Sequence, residues 1–220
     1  MGIITLAKAD HLFWLGRYTE RVYTTIREFF IGYDRMIDEN EDSYQEFCQR
    51  LNIPDVYGAK EIFLMKYPFD AENPDSIVSN LLRAYDNALV MRDEIGTETL
   101  SYIQLAIYEL KKASVSTAPL IEMQNVLDNL LAFIGSVDDF IDDEQNRSII
   151  KAGRRVERLD LYLRFEMPLP AIDRELVKLR RRMPRTGLRY NHHTLSALPD
   201  IIDDCHDYPA AVNMLENILQ

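Results

Sequence analysis

The sequence lacks the features that mark secreted and membrane-spanning proteins. It has only two cysteines, Cys48 and Cys205, and its N-terminus has neither the basic segment nor the apolar core of a secretory signal. Charged residues interrupt every apolar run, so no stretch reaches the roughly 20 residues that a membrane-crossing helix needs. We therefore expect a protein of the reducing cytoplasm that does not span a membrane.

The motifs of several common enzyme classes are also absent. The chain has no glycine-rich phosphate loop, no Gly-x-Ser-x-Gly turn and no Cys/His pair at a family spacing. Residue types that bind metals gather near the C-terminus, but their spacing fits no zinc or di-iron pattern. They are His192, His193, Asp203, Asp204, Cys205 and His206. The acidic run at 138–144 lacks the glycine of a calcium loop. We predict no cofactor and no metal site.

Positive charge is concentrated in one part of an acidic chain. The net charge is −11, yet residues 147–189 hold thirteen Lys or Arg and five Asp or Glu, a balance of +8. A basic segment can bind nucleic acid. No aromatic-interleaved basic motif accompanies this one, however, and the acidic run at 138–144 offers a partner within the chain. We predict internal neutralisation and no nucleic-acid partner.

Hydrophobic periodicity predicts an all-α fold, a multi-helix bundle. Apolar residues recur at intervals of three and four, and no convincing period-two alternation is present. The predicted helices cover about residues 10–38, 45–51, 77–94, 98–110, 117–134, 145–166, 173–182, 194–204 and 209–218, with loops at 39–44 and 184–187. Residues 56–65 fit a helix or a strand, and we favour a helix because no second strand pattern could pair with them. We expect one helical domain over residues 1–220, in which 170–220 form a C-terminal extension.

Three local signals set the expected helix boundaries. Asp10 is the expected cap of the first helix. Gly96 is expected to break the helical pattern, which restarts directly after it. Pro168 and Pro170 are expected to end the helix at 145–166, because proline cannot continue a helix.

One short motif occurs twice. It has the form Gly-Arg-x-x-Glu-Arg and covers residues 16–21 and again 153–158. Both copies continue in register to a further arginine, Arg27 in the first and Arg164 in the second. A match of this length indicates an internal repeat. We therefore predict that the helices at about 10–38 and 145–166 are related and pack together.

The two motif helices differ in where they carry apolar residues. In the first helix the motif lies nearly opposite the apolar stripe, so it either faces water or belongs to a second, polar interface. In the second helix apolar residues surround the axis, which is typical of a central helix. Charges on a central helix are at least partly buried and must be paired.

The repeated motif predicts an ion-pair seam between its two helices. Its residues are Arg17, Glu20, Arg21, Arg154, Glu157 and Arg158. Within each copy the first arginine and the glutamate are three residues apart and can pair locally. If the helices pack about a pseudo-twofold axis, each glutamate can instead take a bidentate interaction from an arginine of the other copy. Both arrangements are open.

The glycines and the excess of arginine in the motif indicate how it could be used. Gly16 and Gly153 would let the two backbones approach closely. Two arginines for each glutamate leave surplus positive charge, which could hold an anion or a peptide carboxylate. Further candidates for such a site are Arg27, Arg92 and Arg164. We favour a structural ion-pair network and assign no catalytic residue, because nothing supplies a second, differently tuned carboxylate beside either glutamate.

Several segments resemble the alpha-E family, bacterial all-helical proteins named for their Glu-Arg motif. Residues 8–21 are similar to the family's signature, although Lys8 and Asp10 stand where Arg and Glu are more usual. Residues 73–92 resemble its second block and residues 153–158 its third. The chain is shorter than typical members and does not follow the family's pattern after about position 170.

The resemblance implies a role in a peptide-modification system. Alpha-E proteins are typically encoded beside circularly permuted ATP-grasp ligase-like proteins and transglutaminase-like peptidases. The expected function is thus an accessory or scaffold subunit that acts with those two partners. The alternative is an enzyme, or a peptide- or anion-binding module, that uses the paired Arg/Glu site. The peptide-modification role rests on family analogy alone, whereas the binding-module alternative rests on the surplus arginines of the motif.

Overall fold

The computed structural model describes residues 4–38, 43–203 and 207–219. Within these ranges the chain forms ten α-helices and one short 3-10 helix, with no strand beyond an isolated bridge between Tyr190 and Leu219. The helices are α1 (Leu6–Asp38), α2 (Ser43–Leu51), α3 (Lys60–Lys66), α4 (Ile77–Val90), α5 (Arg92–Ala113), α6 (Pro119–Phe140), α7 (Glu144–Arg164), α8 (Leu169–Arg182), the 3-10 helix (Met183–Thr186), α9 (His192–Asp203) and α10 (Tyr208–Glu216). The predicted all-α fold is confirmed.

Several predicted helix boundaries are wrong. Helix α4 ends at Val90 and α5 begins at Arg92, whereas the sequence predicts a helix to about 94 and the next from 98. Helix α1 begins at Leu6 rather than at Asp10, and Thr5 Oγ1 accepts the backbone N–H of Lys8 at 3.3 Å. Helix α8 begins at Leu169 because Pro170 lies in its first turn, where the missing N–H needs no partner.

Other predicted segments agree more closely with the structure. The ambiguous segment at 56–65 is helical, as α3. Gly96 interrupts α5 with φ 80° and ψ 158°, a conformation that favours glycine. The loop predicted at 184–187 is wrong for residues 184–186, which belong to the 3-10 helix. Residues 39–42 of the predicted turn at 39–44 lie outside the described part of the chain, and α2 begins at Ser43.

Helices α1 and α7 form the centre of the bundle. Helix α1 has 33 residues, about 50 Å at 1.5 Å per residue. Its most extensive packing is against α7, and a second face packs against α4. Helix α7 also contacts α8, α10 and the 3-10 helix, and its buried residues surround its axis. An apolar circumference thus places α7 at the centre, as the sequence predicts.

The remaining helices complete the bundle around this pair. Helices α5 and α6 pack against each other, and α4 connects them to α1. Aromatic residues hold α2 and α3 against α1, with the Phe63 and Tyr67 rings stacked at 4.9 Å and Phe29 of α1 at 6.1 Å from Phe63. Helices α8 and α10 both pack against α7.

Candidate functional site

The two glycines of the repeated motif lie where α1 and α7 cross. A Cβ atom added at Gly16 would lie 2.1 Å from the backbone oxygen of Ile150, and one added at Gly153 would lie 2.1 Å from that of Phe13. Each glycine therefore faces the carbonyl three residues before the other glycine. This reciprocity gives the crossing an approximate twofold symmetry, and only glycine leaves room for it.

Glu20 of α1 is bound by arginines of α7. Its Oε2 accepts a hydrogen bond from Arg154 Nη2 at 2.7 Å, and its Oε1 accepts one from Arg158 Nε at 2.6 Å. Thr24 Oγ1 donates to the same Oε1 at 3.0 Å. The residue is 1% exposed, so its charge is compensated entirely within the protein.

Glu157 of α7 is bound in the reciprocal way by arginines of α1. Arg17 Nε donates to its Oε2 at 2.6 Å, and Arg21 Nε donates to its Oε1. The two open pairings of the motif are thereby resolved in favour of the one across the helices. No ion pair joins Arg17 to Glu20, or Arg154 to Glu157, in the described part of the chain.

The geometry of this pairing differs from the expected bidentate fork. Each glutamate oxygen takes a donor from a different arginine, so one carboxylate bridges two guanidinium groups. The close crossing at the glycines explains why the pairs form across the helices, because it brings each glutamate within hydrogen-bond distance of the other helix. The motif of α1 accordingly lies in a second, polar interface rather than facing water, with Arg17 and Glu20 buried.

Both motif glutamates remain ionised at neutral pH. Burial alone would raise the pKa of Glu20, but the charges and hydrogen bonds of Arg154 and Arg158 lower it overall. Burial opposes ionisation of Glu157 in the same way, and Arg21 and Arg17 lower its pKa. Neither glutamate therefore has the raised pKa that a general acid needs.

Two further carboxylates that the motif does not contain reach the arginines of the seam. Arg17 Nη2 lies 3.3 Å from Asp160 Oδ2, and Arg158 Nη1 lies 3.9 Å from Glu175 Oε1. The four motif arginines thus meet four carboxylates. Glu175 belongs to α8, so its contact with Arg158 depends on how α8 packs against α7.

Asp160 has an unusual environment for a carboxylate among arginines. Burial and the negative charge of Glu157 raise its pKa, and the nearby Arg164 and Arg17 offset this only in part. Arg164 Nε donates to Asp160 Oδ1 at 2.5 Å. When the two copies of the motif are aligned, Asp160 of α7 corresponds to Tyr23 of α1. The repeat therefore does not predict a carboxylate at position 160.

Two aromatic side chains of α1 pack against the seam. The guanidinium of Arg17 lies over the Trp14 ring at 4.8 Å, and that of Arg21 lies over the Tyr18 ring at 5.8 Å. These contacts restrict the arginine side chains and add cation–π attraction. Trp14 is half-buried.

Of the three additional arginine candidates, one reaches the seam. Arg164 binds Asp160 and also lies 3.0 Å from Glu216 of α10. Arg27 is exposed and stacks over Tyr23 at 5.8 Å. Arg92 is exposed at the start of α5 and makes no hydrogen bond or ion pair with any described residue. The register of the repeat placed Arg164 correctly, whereas Arg27 lies on the outer surface of α1.

A cavity of about 220 Å³ opens at the Glu157 end of the seam. Its charged lining consists of Arg21, Asp75, Glu157, Asp160, Arg164 and Glu216. Carboxylates outnumber guanidinium groups here, so this cavity does not provide the positive anion site expected from the motif. We call it the seam pocket.

Metal-binding and membrane-spanning features can be assessed for the described residues. They contain no group of three or more His, Cys, Asp or Glu side chains placed to hold a metal ion. Positions 204–206, part of the C-terminal group considered above, lie outside the described ranges. No described helix is both long and apolar enough to cross a bilayer.

The fold and the seam define an all-helical protein whose two central helices are joined through a repeated, buried Glu-Arg motif. The sequence model of the Alpha-E family, a predicted alpha-helical domain with a conserved ER motif, matches residues 8–169, and the chain belongs to this family. The match ends where α8 begins. Comparisons with curated proteins and with solved structures found no match.

Proposed function

We propose that this chain is an accessory, scaffold-type helical subunit of a bacterial peptide-modification system, and that it works in the cytoplasm. Its partners in this proposal are a circularly permuted ATP-grasp-like protein and a transglutaminase-like protein. The choice of these partners rests on the family resemblance. The non-catalytic role rests on the chemistry of the motif.

The observation that supports a non-catalytic role is the burial of both motif glutamates. Glu20 and Glu157 are at most 1% exposed, and arginines hold both of them ionised. A catalytic acid or base must reach its substrate and exchange a proton near the working pH. Charges that are buried and fully paired instead fix the register of two packed helices.

Co-expression with an ATP-grasp-type protein encoded in the same gene neighbourhood tests the proposal. We expect the two proteins to elute together in size-exclusion chromatography, and the isolated chain to show no turnover of peptide or ATP. Separate elution at micromolar concentrations, or turnover by the isolated chain, would contradict a scaffold role. A helical protein of similar size and charge serves as the control for non-specific association.

One observation favours the alternative of a peptide-binding module or enzyme. The seam pocket is open to solvent and is lined by Asp160, whose pKa is raised, next to the cation Arg164. A perturbed carboxylate in a cavity is a candidate functional group. The pairing of opposite charges suits a ligand that carries both an amine and a carboxylate.

Two sets of variants separate the scaffold from the alternative. Arg17→Ala and Glu20→Ala, which alter motif residues outside the lining of the seam pocket, should lower the melting temperature without changing ligand binding if the motif is structural. Asp160→Asn and Arg164→Gln should abolish peptide binding with a smaller loss of melting temperature than the motif variants if the seam pocket is a binding site. Arg27→Gln, an exposed arginine of the repeat, is the control for both.

A further inference from the structure

A second cavity, of about 290 Å³, lies between α6, α7, α8 and the 3-10 helix. Helix α7 contributes Lys151, Arg154 and Arg155 to it, and α8 contributes Lys178, Arg181 and Arg182. Both sets have the spacing i, i+3, i+4, which places three cations on one face of each helix. The two basic faces line the same cavity, which we call the basic pocket.

Nearby carboxylates neutralise the basic pocket only in part. With Arg185 of the 3-10 helix, seven cationic side chains line the basic pocket. Among the described residues that line it, Asp138 is the one carboxylate. Asp138 pairs with Lys151, while Glu175 lies 2.5 Å from Arg155 and 2.8 Å from Lys178. These carboxylates leave the pocket with an excess of positive charge.

The acidic run at 138–144 neutralises less of the basic segment than expected from the sequence. Asp138 binds Lys151, and Glu144 lies 3.9 Å from Arg185. The three other carboxylates of the run form no salt bridge to a described residue. Arg181 makes no hydrogen bond or ion pair within the described part of the chain.

Arg154 supplies a buried donor that has no acceptor. Its residue is 5% exposed and its Nη2 binds Glu20, but its Nε has no hydrogen-bond partner among the described residues. In the reciprocal half of the seam, Arg17 uses its Nε to bind Glu157. A buried N–H without a partner is rare and unfavourable, and the residue that carries this one lines the basic pocket.

The basic residues of the pocket also repel one another. Burial lowers the pKa of Arg182, and the neighbouring Arg185 lowers it further. Burial likewise lowers the pKa of Arg154, with Arg158 and Arg155 adding to the effect. A bound anion would relieve this repulsion.

We propose that the basic pocket binds a phosphoryl group, either of a free inorganic phosphate or of a small phosphorylated molecule. Phosphoryl groups carry up to two charges and several acceptor oxygens, and planar guanidinium groups match their geometry. The volume is at the lower end for ligand sites, so it admits a small anion rather than an extended polymer. This inference does not depend on the proposed scaffold role.

Isothermal titration of the whole chain with orthophosphate, pyrophosphate or AMP at low ionic strength tests the site. We expect saturable binding of at least one of them at a single site. Arg181→Gln and Arg182→Gln should each raise the Kd about tenfold, which is the loss of one charge-assisted contact. Tighter binding of AMP than of the inorganic ions identifies a phosphorylated molecule as the ligand, and the reverse order identifies free phosphate.

Arg174→Gln is the matched control. Arg174 is exposed on the same helix and does not line the pocket, so this variant loses the same charge and should keep the Kd within about twofold. Lys178→Gln replaces Arg182→Gln if the latter lowers the melting temperature.

Three results of the anion titrations would overturn the proposal. They are the absence of saturable binding, equal weakening by Arg174→Gln, and equal affinity for malonate, a dicarboxylate of similar charge. Preference for single-stranded RNA over all three phosphates would likewise reject a small-anion site.

Discussion

Glu20 of α1 and Glu157 of α7 occupy reciprocal positions, each bound by two arginines of the helix that carries the other. This exchange uses both copies of one sequence motif in a single buried network. Buried, paired charges of this kind constrain the register of the two central helices.

The helix crossing should not tolerate a methyl group. Gly16→Ala and Gly153→Ala each place a Cβ about 2.1 Å from a backbone oxygen that cannot move without shifting the opposite helix. We expect each to lower the free energy of unfolding by more than about 3 kcal/mol, at the upper end of overpacking effects. Urea denaturation at neutral pH measures the change.

Gly135→Ala is the control for this effect. Gly135 lies within α6, and a Cβ added there meets no atom within 4 Å. We expect it to raise the free energy of unfolding by about 0.5–1 kcal/mol, because alanine favours the helix more than glycine does. Similar losses in all three variants would show that the crossing is not the cause.

Glu157 and Asp160 should respond very differently to neutralisation. Glu157→Gln removes the carboxylate that the buried Arg17 shares with the half-buried Arg21, and it should cost about 3–5 kcal/mol. Asp160→Asn should cost less than about 1 kcal/mol, because burial and repulsion from Glu157 already oppose the Asp160 charge. Chemical denaturation of both variants in one buffer gives the comparison, and equal costs would contradict it.

The seam should make the protein sensitive to acid. Arginines lower the pKa of Glu20 and Glu157 in the folded state below about 4.3, the usual value for glutamate. At a pH between the lowered folded-state pKa and about 4.3, the unfolded chain therefore binds more protons than the folded protein. Their contribution to stability is therefore complete above this window and is lost as the pH falls through it. The contribution of Asp160 to stability has the opposite pH dependence, because its pKa is raised in the folded state. That contribution falls as the pH rises through the folded-state pKa.

Denaturation midpoints between pH 7 and pH 3 test the sign. The wild-type protein should lose stability below about pH 4.5 more steeply than Glu20→Gln, which has one fewer carboxylate to protonate. Parallel curves for the two proteins would mean that other carboxylates cause the acid sensitivity.

Buried and exposed ion pairs should differ in coupling energy. A double-mutant cycle on Arg154 and Glu20 should give a coupling above about 2 kcal/mol, because both side chains are at most 6% exposed. The same cycle on Arg50 and Glu46, a surface pair at 2.8 Å on α2, should give less than about 0.5 kcal/mol. Added salt should reduce only the second value.

Much of the fold follows from the sequence because helical periodicity is a local property. The repeat also identified six residues that the structure brings together, and the register of the repeat identified Arg164 as a seventh. The predicted start of α1 is wrong because Thr5 and Asp10 are both suitable helix caps and local sequence does not choose between them. The predicted start of α8 is wrong because Pro170 fits the first turn of a new helix as well as the end of the preceding one.

The partners of charged residues were less predictable. Asp160 has no counterpart in the other copy of the motif, and Glu175 comes from a helix whose packing the motif does not describe. The cations at the spacing 151, 154, 155 and 178, 181, 182 fit a solvated helix surface equally well. A one-dimensional pattern cannot show that two such surfaces face each other.

The sequence by itself determined an all-helical chain with two related Glu-Arg helices and glycines at the point where they meet. Only the tertiary structure decided that Glu20 and Glu157 bind across the helices rather than to the nearby arginines of their own. Local spacing allows both arrangements, and the contact of two backbones at Gly16 and Gly153 selects one of them. Tertiary packing likewise decided which arginines are neutralised, because charge compensation depends on distance in space rather than along the chain.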